Sequence, residues 1–552
     1  MAPPGIAIAR LDHLGIVAGL CREIGVAAYL DARDEHTHER VSVGAATVAM
    51  LLTGLGFANR RLYLVPQFFK TKPVAHLLGP GITAEDLNDE CLGRTLDWLY
   101  AHDPTALFAG IAVQARRRLG WSARELHVDP TSFAVSGEYA RTEDGDLDAQ
   151  AIAITSGYSR DHYSRDHRQD LKQWMLALAT SGEGAIPVFL RPLNGNASDQ
   201  RELVQTIEAL MAHLRAAGDE PGIYVADGGV YSAANMLRFA HAGVRWISRV
   251  PATSREAQAL LSEDPAQWGT SSDHQTRWFS RQVELAQGRE RWIGVVTEAG
   301  LARTRATVAK QAQRDREQWE RQLWHLGNQA FACQADAEAA AQRQLKTLPV
   351  WLRVASTVES HPHYAGKGRP SKHQPPDRQT WHVQAQVTID DEQLEREAQR
   401  QARFLVATNL LDPTEWPDER AIAVYKAQSG VERGFAFLKD PLFLASSVFL
   451  KRPERIMALA FIMVLCLLIY RLAEWRLRQQ LAATDQTVPN QLKQPTNRPT
   501  MRWMSECFEG ISLLTIPSPG GSQTLVHGLE PLHALVLRLL GPSVSKLYES
   551  SN

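Results

Sequence analysis

A chain of 552 residues has room for three or four domains at roughly 150 residues each, so a large buried core is available. Its 60 Lys and Arg against 61 Asp and Glu leave a net charge of −1, which excludes a uniformly basic coat protein and a disordered acidic chain. Any polyanion has to be met by a local patch.

The start, Met1 to Leu20, lacks a basic leader region, and Arg10 and Asp12 interrupt its apolar residues, which argues against an export signal. From Leu11 to about Arg118 the apolar spacing is helical: Leu14–Leu30, Ser42–Gly54 and Asn88–Tyr100 step by three and four residues. Near Glu125 the period changes. Leu126–Val128 and Phe133–Val135 flank polar Asp129 to Ser132 and are expected as two strands or one bulged ribbon. A turn at Glu143–Asp148, a strand at Ala151–Thr155 and a helix at Asp170–Thr180 follow. Strands at Ile186–Leu190, Gly222–Ala226 and Val244–Val250 then alternate with helices at Gln200–Ala217 and Asn235–Ala242, the pattern of a mixed sheet covered by helices.

Between about 256 and 400 this order dissolves into polar, Gln- and Arg-rich helices such as Ala302–Lys346, with an extended piece at Trp381–Thr388. That region reads as an insertion, because the strand and helix pattern resumes at Phe404–Thr408. Five units follow: a helical domain at 1–118, a first core segment at 119–255, the insertion at 256–400, a second core segment at 401–480, and a Pro-rich linker with a C-terminal segment at 481–552. The apolar run Ile456–Tyr470 is 15 residues, short of the about 20 needed to span a bilayer, so it is expected as a buried helix. Five scattered cysteines form neither a disulfide framework nor a thiolate zinc site and suit a reducing cytosol. His361, His363 and His373 lack ligand spacing.

Two aspartates follow apolar runs: Asp129 after Leu126-His127-Val128, and Asp227 after Ile223 to Ala226. A carboxylate at the end of a buried strand points into the crevice where α/β sheets bind ligands, although Asp before Pro130 and before Gly228-Gly229 also suits turns. A third acid lies between 421 and 439. On one continuous helix Tyr425, Gln428, Glu432 and Lys439 fall within a sector of about 60°. Val424, Val431, Phe435 and Leu438 form an anchoring stripe behind them. His127 is read as structural and as pointing away from the side of Asp129.

Tyr425, Glu432 and Lys439 match the Y-(2)-R-(3)-E-(6)-K signature of the DDE transposases of bacterial insertion sequences, with Gln428 departing from its Arg. Val128-Asp129-Pro130-Thr131-Ser132, Ala226-Asp227-Gly228-Gly229 and the stretch from Gly157 to Lys172 also resemble that family, as do the helical start and Arg502-Trp503. The resemblance implies a ribonuclease-H-like α/β core of mixed sheet and flanking helices, interrupted by an insertion before the Glu helix. It also implies a catalytic and metal-binding triad of Asp129, Asp227 and Glu432. All-oxygen ligation without Cys or paired His selects Mg²⁺ or Mn²⁺, two ions serving in-line attack at phosphorus. Asp129 is expected to bridge both ions, with Asp227 and Glu432 each completing one shell.

The activity so implied is cleavage at element ends and strand transfer into target DNA. Tyr425, Gln428, Lys439, Arg160, Arg165, Arg168 and Lys172 are the expected DNA contacts. Because Gln428 carries no charge, Arg at that position is expected to preserve or raise cleavage. From Val431 to Gln480 eight Lys or Arg face four acids, a balance of +4 that suggests a DNA patch, and Gly366 to Lys372 resembles a minor-groove hook. Partners are the element's terminal inverted repeats, read by the N-terminal domain, and target DNA. Two ends handled together imply a homodimer, cytoplasmic and nucleoid-associated, with no membrane. The rivals are a DNA-binding remnant that no longer cuts and a membrane-associated protein built around Ile456–Tyr470.

Overall fold

The computed structural model describes residues 5–35, 39–57, 64–135, 139, 151–157, 172–220, 222–263, 265–366, 374–440, 450, 452–518 and 521–550. The chain divides into two compact units, one of Met1–Ser248, Leu285–Gly288 and Ala423–Asn552, the other of Arg249–Glu284 and Arg289–Ile422.

The first unit is built on a mixed sheet. Its strands are β1 (Glu125–Val135), β2 (Lys172–Ser181), β3 (Pro187–Leu193), β4 (Ile223–Ala226) and β5 (Arg245–Val250), in the spatial order β3-β2-β1-β4-β5. The first three pair antiparallel, whereas β4 runs parallel to β1 and β5 parallel to β4. This is the mixed sheet with flanking helices that the ribonuclease-H-like reading called for.

Three local expectations change. Leu126–Val128 and Phe133–Val135 belong to one continuous strand that runs through Pro130, paired with Ala177. Residues 172–181 form a strand rather than part of a helix. Trp174 to Ala179 is apolar at every position and buried on both faces, so it carries no alternation, and a helical period can be read into any such run. Ala151–Thr155 contributes only a bridge from Thr155 to Gln173. The expected turn at 143–148 lies outside the described residues.

One face of this sheet belongs to the main core. Phe133, Trp174, Leu176, Leu178 and Leu190 pack in one cluster with Val431, Phe435 and Leu438 and with the helix Pro453–Ala483. That 31-residue helix contains the expected apolar run and extends well beyond it. By length and composition it could cross a membrane, but 89% of its most apolar window is buried inside the protein. Its neighbours include the N-terminal helices Val43–Leu55, Asp89–Ala101 and Pro104–Leu119. The Leu14–Leu30 period is divided at Gly25, whose left-handed φ of 74° ends one helix and starts the next. The last helices, Pro531–Leu540 and Pro542–Ser545, return to this core. Tyr548 donates a 2.6 Å hydrogen bond to the Asp12 carbonyl.

The second unit holds the expected polar helices, Glu298–Gly327 and Gln334–Leu345, together with strands that the helical reading missed. Thr276–Leu285 and Gly288–Thr297 are strands, and Phe404–Thr408 pairs with the latter. The extended piece is one strand of a two-stranded ribbon, Leu352–His363 with Arg378–Ile389. One side of the ribbon packs Leu352, Val383 and Val387 against Trp319, Leu323 and Leu326 of the long helix.

Candidate active site

β1 sets the floor of the site. Successive side chains alternate, so His127, Asp129, Thr131 and Phe133 share one face, opposite Thr180, Leu178, Leu176 and Trp174 of β2. Phe133 and Trp174 stack at 4.8 Å. The parallel register with β4 ends at Val128 opposite Ala226, and Asp129 and Asp227 come next. The two aspartates therefore occupy matching levels on neighbouring strands. Asp129 is half-buried in mid-strand, not at a turn, whereas Asp227 is exposed and does open one: its carbonyl accepts from the Val230 N–H at 3.1 Å and from Ser248 Oγ at 3.2 Å.

Glu432 arrives on the helix Ser429–Leu438, which packs against β1 and β2. Val431, Phe435 and Leu438 are buried as anticipated, and Glu432 in the first turn is exposed. Two glycines four residues apart allow the close approach. A Cβ on Gly434 would stand 3.2 Å from Leu467 and 3.7 Å from Leu178, the cross-strand partner of Asp129, and one on Gly430 would stand 2.9 Å from Ala185 Cβ. The helix thus lies over the Asp129 face. At its end Lys439 Nζ sits 5.6 Å from the centre of the Phe133 ring, further along that face.

The single polar stripe is not continuous. One helix, Asp418–Lys426, ends before the next begins, and tighter three-residue turns join them. Gln428 N donates to Tyr425 O at 3.1 Å, Gly430 N to Ala427 O at 2.9 Å, and Val431 N to Gln428 O at 3.0 Å. Such turns rotate about 120° per residue rather than 100°, so Tyr425 and Gln428 leave the sector that an unbroken helix would give them. Tyr425 and Lys439 are half-buried, and Gln428 is only 9% exposed at the helix N-cap. A cation there would meet burial and the positive end of the helix dipole, which gives a local reason for Gln in place of Arg.

The expectation that His127 points away from Asp129 fails, because residues two apart on a strand share a side: it lies beneath Asp129 on the same face. It is 1% exposed, neither ring nitrogen nor the Oγ1 of its cross-strand partner Thr180 has a hydrogen-bond partner among the described residues, and burial pushes its pKa down to about 4. It is a neutral group at physiological pH.

Among the described residues no three His, Cys, Asp or Glu side chains converge on one point. The register brings Asp129 and Asp227 together, and the glycine-faced helix brings Glu432 over the same sheet face without closing the triad. As donors, three carboxylates with a buried neutral His beneath them suit a hard divalent cation, and their mutual repulsion opposes closure unless positive charge lies between them.

Of the expected DNA contacts, Lys172 is half-buried at the start of β2, opposite Val135, and Arg160, Arg165 and Arg168 lie outside the described residues. The +4 balance does not form a free patch. Arg455 pairs with Asp97 at 2.6 Å, Arg476 with Glu23 at 2.7 Å, Arg452 with Glu454 at 3.6 Å, and Arg471 and Arg478 both with Glu474 at 3.2 and 2.8 Å. Lys451, His373 and the hook residues 367–372 lie outside the described residues. Sequence reasoning missed Gly430 and Gly434, although small residues at i and i+4 on the apolar side of a helix signal a close approach.

No curated protein matches the chain. Among solved structures, a piggyBac transposase in a synaptic complex with hairpin DNA is similar at 8% identity and a TM-score of 0.35, over 98% of this chain and 84% of that one. Residues 6–113 match a domain of unknown function (DUF4277). The family described as Transposase DDE domain matches residues 128–469, well over half of the chain, taking in Asp129, Asp227, Glu432 and Lys439. The protein belongs to the DDE transposases, enzymes of DNA strand cleavage and transfer.

Proposed function

We propose that this is the transposase of a bacterial insertion sequence, with Asp129, Asp227 and Glu432 as its catalytic carboxylates. The reading rests above all on the β1–β4 register, which sets Asp129 beside Asp227, under a helix that carries Glu432. Asp129, Asp227 and Glu432 would hold two Mg²⁺ or Mn²⁺ ions, with Asp129 shared and each of the others completing one shell. Bound there, the ions supply Lewis acidity for in-line attack by water or a 3′-hydroxyl at phosphorus. The chain's own residues do the rest. Lys439, held over Phe133, is placed to meet a DNA phosphate, and the Tyr425 hydroxyl offers a second contact. The residues of 1–118 are assigned to reading terminal inverted repeats, and two copies act together on two ends, in the cytoplasm at the nucleoid. A plasmid excision assay comparing wild type with Glu432→Ala tests the assignment. Loss of excision in the variant is expected, and equal excision by both proteins would end the catalytic claim.

A further inference from the structure

In the second unit, which carries none of the three acids, the helix Glu298–Gly327 buries Leu301, Val308, Ala312, Trp319, Leu323 and Leu326 and turns a different surface outward. Arg303, Lys310, Arg314 and Arg321 are all exposed. At 100° per residue they fall within about 40° of one another, a straight row roughly 27 Å long. Among the described residues none of the four pairs with a carboxylate. Arg303 Nε donates to the Ala299 carbonyl one turn back, 3.2 Å away, while the neighbouring Arg305 and Arg316 are paired with Glu395 and Glu320. Glu317 is the one acid on the row, and it accepts a 2.9 Å hydrogen bond from Gln313. One turn beyond Arg321 and about 60° around the helix from the row stands Trp324, which is 64% exposed and in edge contact with His325 at 4.9 Å.

Exposed tryptophan is costly to leave in water, and unpaired cations in line repel one another, so neither feature is explained by the stability of the unit. In a chain of net charge −1 such a row is also not a consequence of composition. We infer that this face is a DNA-docking surface, on which the four cations follow the phosphates of one duplex and Trp324 stacks on a base left unpaired at a broken end. The inference rests on the transposase reading for its partner. It places the contact on the second unit and uses none of the residues assigned to chemistry.

The test uses the full-length protein with a labelled DNA duplex, blunt or carrying a short single-stranded overhang, titrated by fluorescence anisotropy over a range of salt. Replacing all four cations (Arg303→Gln, Lys310→Gln, Arg314→Gln, Arg321→Gln) retains helix propensity and leaves the core untouched, and an unchanged thermal melt confirms folding. The salt slope of log K is expected to fall by about 3 to 4, near 0.9 for each phosphate that is no longer neutralised. Trp324→Ala is expected to weaken overhang binding about tenfold and to leave blunt duplex unchanged. An unaltered salt slope in the quadruple variant would overturn the proposal, as would a change in oligomeric mass without a change in DNA binding, which would assign the face to a second copy. Wild-type protein that binds and cuts while the variant keeps its slope sinks this inference alone, whereas wild-type protein that binds but never cuts sinks the catalytic reading and not the docking surface.

Discussion

Two helices of almost equal length use arginine in opposite ways. Pro453–Ala483 is surrounded by the first unit, and Arg455, Arg471, Arg476 and Arg478 are all held by acids of that unit. Glu298–Gly327 is covered on one side only, and four of its cations face outward with no acid paired to them among the described residues. Counting charges along the sequence gives the first helix a positive surplus, yet pairing cancels it in space. A charge tally locates a nucleic-acid surface only after the partners of each cation are known.

The sharpest way to break this contrast is to remove one cation from each helix. Arg471 and Glu474 are nearly buried, and Glu474 keeps Arg478 as a partner, so Arg471→Ala removes one of its two cationic contacts and is expected to cost about 1 to 3 kcal/mol, read by chemical denaturation. Arg314→Ala, on the open helix, is expected to stay within about 0.5 kcal/mol and to weaken DNA binding instead. Equal stability losses would erase the distinction.

His127 is an inward polar group with no hydrogen-bond partner among the described residues, so it extends the comparison to pH. Its pKa is lowered from 6.5 when unfolded to about 4 when folded, so the unfolded chain takes up the proton first. The stability contribution is full above pH 6.5 and is lost as the pH falls toward about 4, on the order of 3 kcal/mol in total. His127→Leu should flatten that acid limb in pH-dependent unfolding, and an unchanged limb would remove His127 as its source.

Packing provides a smaller test. Gly434→Val drives two methyl groups toward Leu467 and Leu178 and is expected to cost about 1 to 3 kcal/mol while lifting Glu432 from the sheet. Cleavage should fall at unchanged DNA affinity, and a parallel loss of both would show that the helix does more than carry Glu432. The mildest expected change is Gln428→Arg. Because Gln428 is buried at a helix N-terminus, the variant should lose about 1 kcal/mol in thermal unfolding, with no gain in cleavage. A gain would restore the signature's Arg as the better residue.

Much of this was legible in the sequence. Short apolar runs bounded by turn residues located β3, β4 and β5 and, as two pieces, β1, and the acids stood out because each follows or rides on an apolar pattern. β2 was misread because a strand buried on both faces has no period to detect. The insertion was recognisable by composition but its strands were not, since Thr276–Leu285 is mostly polar and half-buried and Leu352–His363 mostly polar and exposed. The break at 427–430 was hidden because residues on either side fit a helical stripe, and only the three-residue hydrogen bonds of the folded backbone reveal it. Ion pairs such as Arg455 with Asp97 join residues hundreds of positions apart, beyond the reach of any local pattern.

The central claim is that Asp129, Asp227 and Glu432 meet around divalent ions, and its most direct measurement is Mn²⁺ binding to the full-length protein followed by electron paramagnetic resonance. Wild type should take up Mn²⁺, and Asp129→Asn, Asp227→Asn and Glu432→Gln should each weaken that uptake while leaving the thermal melt in metal-free buffer intact. Identical Mn²⁺ titrations in wild type and all three variants would contradict the claim.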